Sequence, residues 1–357
     1  MGIIDDLAEI LRKCHEEFEG RSKCGAAFRT KEHFRASEGK DRVSKAEVQE
    51  DIQDVIVRGD NVDFMSYLLD KKDMAGKIQL IYADPPFYSK GKYEAVIKAG
   101  DDRIRIPAYD DKWSEGMGPY LEMLCLRLMY MRELTSETGY VCIHLDWHVV
   151  HYVKVLADAV FGEENFVNEI IWTYKSGGAT KKRFARKHDT LLLYRKSEKN
   201  YFSPQKEKSY NRDMRPYRFD GVDEYEDEKG WYTLVNMKDV WEIDMVGRTS
   251  SERTGYATQK PEALLKRLIE SCSRPGDICA DFFGGSGVMA VSAKALDRRF
   301  ILCDIGKTAA VFQRKRLMEK GIGYLYLEEE GIADDSRDPD ISVTDEDGKI
   351  VLKYDGK

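Results

Sequence analysis

The chain has 357 residues, 42% of them apolar and 34% charged, which excludes a fibrous or disordered protein and leaves room for a sizeable α/β core. No run approaches the ~18 apolar residues of a membrane helix, and the acidic start, Asp5-Asp6, is unlike a secretory signal. The net charge of −7 argues at first against nucleic acid, but Glu328 to Lys357 alone holds eleven acidic and four basic residues, so the rest of the chain is neutral overall.

In chain order, Ile3, Ile4, Leu7, Leu11, Cys14 and Phe18 recur at helical spacing and predict an amphipathic helix. Glu19 to Val43 is polar and without period, and Ser44-Lys45-Ala46-Glu47 reads as a capping box opening a short helix. Residues 1–54 thus form an N-terminal helical arm, suited to packing or to a homodimer contact. Val55-Ile56-Val57 predicts a strand, and Arg58-Gly59-Asp60-Asn61 a turn into a helix carrying Phe64, Leu68 and Leu69.

Ile78 to Tyr82 is a short buried strand that stops at Asp84-Pro85-Pro86-Phe87. Neither proline has an N–H and both hold φ near −65°, so strand and helix alike end there. The result is a rigid elbow with a free carboxylate at one end and a ring at the other. Asp84 and the Pro85 carbonyl can each accept a hydrogen of an exocyclic amino group, while Phe87 stacks on the ring that bears it. Taken alone, the same four residues also fit a plain proline turn.

Tyr88 to Trp113 is charged and patternless and predicts a mobile loop. A helix over Tyr120 to Leu134, a strand over Tyr140 to Asp146 and a helix from His148 to Phe161 follow, then strands at Glu169 to Tyr174 and Thr190 to Tyr194. His144, His148 and His151 lack a fourth ligand at motif spacing, so no metal site is expected. Lys175 to Arg218 holds fourteen Lys/Arg against four Asp/Glu, interleaved with aromatics such as Phe184 and Tyr217. That is the footprint of a phosphate-binding surface, with Lys175, Lys181, Lys182, Arg183, Arg186, Arg212 and Arg215 as candidate contacts.

From Lys196 to Arg253 periodicity disappears, as in an insertion. It returns with a helix opened by Pro261, a strand from Asp277 to Phe282 and a glycine loop from Gly284 to Gly287. A helix to Leu296, a strand from Arg299 ending at Asp304 and a helix to Lys320 complete the alternation. The acidic tail from 328 onward carries a hairpin signal at Asp347-Gly348 or is disordered. Strands alternating with helices predict a doubly wound, mostly parallel α/β sheet. Seven cysteines without a Cys-x-x-Cys pair fit free thiols in a reducing cytoplasm.

In Asp281-Phe282-Phe283-Gly284-Gly285-Ser286-Gly287 the glycines let backbone approach a ligand, and Asp304 ends the next strand, where a carboxylate can hold ribose hydroxyls. Gly285-x-Gly287-x-x-Ala290 also satisfies the dinucleotide fingerprint. However, the elbow and the glycine loop both follow strands and so share one sheet edge. A nucleoside cradle beside an amino-group clamp fits methyl transfer from S-adenosylmethionine to an amino nitrogen, and hydride transfer has no use for the clamp.

These motifs resemble those of the amino-methylating DNA methyltransferases of permuted, beta-type order, in particular type III modification and orphan adenine-N6 enzymes. Asp84-Pro85-Pro86-Phe87 resembles the catalytic tetrapeptide of that family and Asp281 to Gly287 its cofactor loop. Thr258-Gln259-Lys260-Pro261-Glu262 resembles the motif before that loop, and Gly59-Asp60-Asn61 the turn near the cofactor adenine. The resemblance runs from about 55 to 320. It implies S-adenosylmethionine bound by Asp60, Asn61, Gln259, Lys260, Asp281, Phe282, Phe283, Gly285, Ser286, Gly287 and Asp304. It also implies double-stranded DNA as partner, base flipping, and a restriction-modification role in the cytoplasm of a bacterium or archaeon, or a phage origin, with a restriction subunit as a further partner. Tyr88-Ser89 and Ala257 depart from the family pattern.

Asp at the first position of the tetrapeptide favours adenine N6 over cytosine N4. A catalytically silent DNA-binding subunit and an RNA methyltransferase are the readings from other classes. The expected units are a catalytic half at 55–195, a target-recognition insert at 196–253, a cofactor half at 254–327 and the tail at 328–357.

Overall fold

The computed structural model describes residues 3–20, 25–35, 43–44, 54–99, 102–175, 181–333, 340–346 and 349–354. Helix α1 (Ile3–Gly20) opens the chain, followed by strands β1 (Phe28–Phe34) and β2 (Val43–Ser44). β3 (Val55–Arg58) turns into α2 (Asn61–Lys72), and β4 (Ile78–Ala83) ends at the diproline. A hairpin of β5 (Lys92–Ala99) and β6 (Asp102–Asp110) precedes α3 (Met117–Leu134), β7 (Thr135–Leu145) and α4 (Val150–Phe161). Next come β8 (Phe166–Thr173), β9 (His188–Arg195), β10 (Lys206–Tyr210), β11 (Glu224–Asp227), β12 (Gly230–Asn236) and β13 (Val240–Glu242). Then α5 (Glu262–Cys272), β14 (Ile278–Asp281), α6 (Val288–Lys294), β15 (Arg299–Asp304) and α7 (Lys307–Glu319) alternate. β16 (Tyr324–Glu329) and a hairpin of β17 (Ile341–Glu346) and β18 (Lys349–Tyr354) complete the order.

Eleven strands form one sheet in the order β13-β8-β9-β7-β4-β14-β15-β3-β16-β1-β2. Its centre, from β7 to β16, is parallel throughout, and β9 and β1 run antiparallel on either side. Every residue of β3 and β4 is buried, as a strand covered on both faces requires. One face carries α1 to α4, with Leu7, Phe64, Leu124 and Val153 in its core. The other carries α5 to α7, the β5–β6 hairpin and the terminal hairpin, with Leu268, Phe312, Ile106 and Ile341. Pairing of Tyr82 with Asp281 across β4 and β14 sets the diproline elbow beside the glycine loop.

Several expectations change. Tyr88 to Trp113 is largely a paired hairpin, because Ala95, Ile97 and Ile106 are buried against α7 and its neighbours. The patternless stretch before Val43 contains β1, which pairs with β16 and packs Phe28 on Phe64 at 5.2 Å. Ser44 lies in β2, and the rest of its expected capping box is outside the described residues. α1 turns its apolar side to α3, with Phe18 4.8 Å from Tyr130, so that face is taken within the chain.

The 196–253 insert splits in two. β10, β12 and β11 form a small antiparallel sheet, whereas β13 pairs with β8 and extends the main one. The tail boundary at 328 cuts through β16, and the hairpin after it buries Ile341 and Val343 instead of hanging free. Among the described residues, no helix is long and apolar enough to cross a membrane.

Candidate functional site

A cavity of about 860 Å³ opens at the carboxyl end of the central strands, where ligands of open α/β sheets bind. The elbow Asp84 to Phe87 forms one wall. Asp60, Asn61 and Arg127 form a second, Asp281 to Ser286 with Asp304 a third, and Tyr93 and Tyr109 of the hairpin face them. Six carboxylates line it against three cations, Lys92, Arg127 and Lys260. Such an excess suits a ligand that carries positive charge.

Asp84 is not the free carboxylate that the sequence leads one to expect. Its Oδ2 accepts a hydrogen bond from Lys260 Nζ at 2.5 Å. Oδ1 is buried with no hydrogen-bond partner among the described residues, 4.0 Å from His144 Nδ1. An unsatisfied buried carboxylate oxygen is costly, and here it is left available to a donor. The Phe87 ring lies 5.7 Å from the His144 ring, and Lys260 Nζ sits 5.1 Å from its centroid.

Beyond the elbow, Tyr88 and Lys90 take positive φ, 59° and 61°, a region costing non-glycine residues about 1–3 kcal/mol each. Asp111 holds this path. Its carboxylate accepts from Tyr88 N at 3.1 Å, Ser89 N and Oγ at 2.6 Å, and Trp113 Nε1 at 3.1 Å. The hairpin is tied to the loop before Gln259 by Val96 N donating to Gly255 O at 2.9 Å, and its own two strands carry the Tyr93–Tyr109 stack at 4.6 Å.

The glycine loop is shaped by backbone. Gly285 and Gly287 have φ of 44° and 74°, and a Cβ on Gly284 would lie 2.7 Å from Gln313 Nε2. Asp304 braces the loop: Oδ2 accepts from Gly285 N and Oδ1 from Gly306 N, both at 2.8 Å. Burial pushes the Asp304 carboxyl up despite these bonds. Asp281 is 2% exposed, and burial, aided by the nearby Asp84 and Asp304 charges, raises it well above the usual carboxylate range although Phe283 N donates to it.

Asp60 caps α2 through Val62 N at 2.7 Å and receives Arg127 at 3.2 Å on its other oxygen. Asn61 bridges Phe282 O at 2.8 Å and Arg127 Nε at 2.6 Å. Phe282, Phe283 and Ser286 line the cavity, and Lys260 reaches it. Gln259 and Gly287 do not. Gln259 ties its own loop, bonding Thr254 and Glu252 O, and Gly287 closes the turn onto Gly284 O at 2.8 Å.

Arg127, Asp111, Tyr93 and Tyr109 escape sequence reasoning, since each stands in a helix, strand or presumed loop with no motif around it, and His144 is weighed there only as a metal ligand. Glu329 escapes too, and accepts from Asp60 N at 2.8 Å.

The basic candidates divide. Lys181, Lys182, Arg183 and Arg186 are exposed on the segment joining the end of β8 to the start of β9, at the same sheet edge as the cavity. Arg186 stacks 3.3 Å over Trp147, and Phe184 is 98% exposed. Lys175, at the root of this segment, pairs with Glu242 at 3.2 Å. Arg212 and Arg215 lie on the connection from β10 to β11 of the small sheet, whose stems leave β9 and enter β13 at the opposite edge. The fold does not bring them to the cavity.

Residues 78–311, more than half of the chain, match the family model described as DNA methylase, of the N6/N4 methyltransferase type. Among similar curated proteins is the type II methyltransferase M2.DpnII of Streptococcus pneumoniae, 29% identical over 275 residues, covering 74% of this chain and 89% of that protein. Another is the DNA adenine methyltransferase YhdJ of Escherichia coli K12, 26% identical over 254 residues, covering 69% and 78%. Of solved structures, the cytosine-N4-specific PvuII DNA methyltransferase aligns with a TM-score of 0.51 at 11% identity, covering 74% of this chain and 86% of that one. That last likeness concerns the fold.

Proposed function

Because this chain belongs to the N6/N4 DNA methylase family, we propose that it methylates the N6 amino group of adenine in DNA, with S-adenosylmethionine as donor. The observation that carries this reading is the Asp84 elbow. Asp84, which carries a buried carboxylate oxygen without a hydrogen-bond partner among the described residues, lines the same cavity as a glycine loop braced by Asp304. When bound, S-adenosylmethionine supplies an electrophilic methyl group on a sulfonium. The acidic lining suits that positive charge, and Asp281, Asp304, Asp60, Asn61 and the Phe282–Ser286 backbone are placed to hold the nucleoside and methionine ends.

An aromatic amino nitrogen is a weak nucleophile because its lone pair is delocalised into the ring. Asp84 Oδ1 and the Pro85 carbonyl each accept one amino hydrogen, turning the lone pair out of the ring plane. Phe87 gives the base a face to stack on. The chain therefore acts by positioning and electrostatics rather than by strong base catalysis. The base must leave the duplex to reach the elbow, and the exposed cations of Lys181 to Arg186 lie at the edge where the backbone would pass. The carboxylate at the first position of the tetrapeptide supports adenine over cytosine.

The test is nucleoside mass spectrometry of unmethylated bacterial DNA treated with the protein and S-adenosylmethionine, with Asp84→Ala alongside. N6-methyladenine from the wild type and a loss of about 10²-fold or more in the variant is the expected result. N4-methylcytosine would overturn the base assignment. An active Asp84→Ala would overturn the mechanism.

A further inference from the structure

Directly beneath the elbow lies a buried polar group that methyl transfer as described leaves unused. His144 is fully buried on β7. Its Nδ1 is 2.6 Å from the Tyr82 hydroxyl and its Nε2 is 3.4 Å from Asp189 Oδ2. The other Asp189 oxygen accepts from the Tyr174 hydroxyl at 3.0 Å. The unpartnered Asp84 Oδ1 lies 4.0 Å from the same Nδ1. One buried histidine thus lies between two carboxylates.

We propose that His144 stores the proton released by the target amino group, receiving it through Asp84 and holding it against Asp189. The inference rests on the amino-methylation reading above. In that reaction one N–C bond forms and one C–S bond breaks, its electron pair remaining on sulfur. The nitrogen is left cationic and must lose one proton.

Asp84 Oδ1 is the acceptor at hand, since Oδ2 is held by Lys260. A proton that stayed on Asp84 would leave the buried Lys260 cation without its counter-ion. Passed on to His144 Nδ1 as the Tyr82 hydroxyl turns its hydrogen away and becomes an acceptor, it restores the Asp84–Lys260 pair and places an imidazolium between Asp84 and Asp189. After product leaves, the proton returns to solvent.

The neighbours set the starting state. Burial keeps the Tyr82 hydroxyl protonated, well above its ordinary range, so it can donate to Nδ1. Burial works against the Asp189 charge, but the hydrogen bond to His144, the Lys260 charge and the bond from the Tyr174 hydroxyl hold Asp189 below the usual value. An ionised carboxylate can only accept, so Asp189 takes a hydrogen from Nε2, and the protonated Tyr82 hydroxyl is a donor for Nδ1. The charged and titratable groups facing it are Tyr82 and Asp84 from β4, Asp189 from β9, Tyr174 through Asp189, and Lys260 across Asp84. Trp172 and Phe87 complete the shell without charge. The 4.0 Å gap must close during reaction, as such contacts do in reactive complexes.

The test compares wild type, His144→Gln and Asp189→Asn at full length, with unmethylated bacterial DNA and radiolabelled S-adenosylmethionine across a pH series. Both variants should lose on the order of 10²-fold in kcat while KM for DNA stays within about twofold. His144→Gln should also alter the shape of the kcat–pH profile, which a purely structural role of the ring would leave in place.

In the cofactor-free wild type, long-range proton–nitrogen spectra should show the Nε2–H tautomer, assigned by the signal missing in His144→Gln. A variant that keeps the wild-type kcat and pH profile, or an Nδ1–H tautomer, would overturn the inference. If His144→Gln does not fold, Asp189→Asn decides by the same kcat criterion. A wild type that methylates no DNA overturns the function on which the inference stands, and is told apart by failing before any variant is compared.

Discussion

At the scale of single residues, the cavity keeps charges where folding alone would not place them. Asp281 is the clearest case, buried at the end of β14 with its carboxyl pushed up by desolvation and by Asp84 and Asp304. A raised folded value means that any favourable contribution exists below the unfolded value of about 3.9 and is lost as pH rises. At neutral pH Asp281 therefore opposes folding. Asp281→Asn should raise Tm of the cofactor-free protein at pH 7 by roughly 1–3 °C, the gain shrinking toward pH 4, while weakening S-adenosylmethionine binding. Thermal melts at several pH values with and without cofactor check both effects; an unchanged Tm at pH 7 would contradict the assigned strain.

At the scale of elements, the β5–β6 hairpin shows what the sequence could not convey. Its strands carry Lys, Glu, Arg and Asp on their outer side, and only the buried faces of Ala95, Ile97 and Ile106 reveal a strand period once α7 is in place. The central strands were legible because Ile78 to Ala83 and Ile301 to Cys303 are apolar runs closed by a proline pair or a carboxylate. The glycine loop was legible for the same local reason. Asp111 was not, since its partners lie 22 residues away in Ser89 and beside it in Trp113. β16 was hidden because its acidic end, Glu328-Glu329, reads as the start of a charged tail.

The hairpin also offers a test at this scale. Gly255 has φ of 98°, and a Cβ there would sit 2.3 Å from Val96 O. Gly255→Ala should detach the hairpin from the cavity, costing roughly 1–3 kcal/mol. Faster amide exchange over 92–110 and weaker cofactor binding are expected. Normal exchange there would show that the stitch does not hold the hairpin.

At the scale of the whole molecule, charge and topology agree. The body is neutral and the carboxylates of the last thirty residues account for the net −7, yet the exposed cations of Lys181 to Arg186 gather at the cavity edge. Reversing Lys181, Lys182 and Arg183 to Glu should weaken DNA binding by an order of magnitude or more at moderate salt and flatten its salt dependence. Reversing Arg212 and Arg215, rooted at the far edge, should do much less. Fluorescence anisotropy with a DNA duplex at several salt concentrations distinguishes the two; equal losses would mean that DNA wraps around the sheet.

The pairing of β4 with β14 has one more consequence. The part before the small sheet meets the second half chiefly through side-by-side strands, β4 on β14, β3 on β15 and β16, β1 on β16 and β8 on β13. No covalent link at 196–239 is needed for those ladders to form. The order of the elbow and the glycine loop along the chain is thus a matter of wiring, and the same catalytic edge could be assembled from two separate polypeptides severed within that segment.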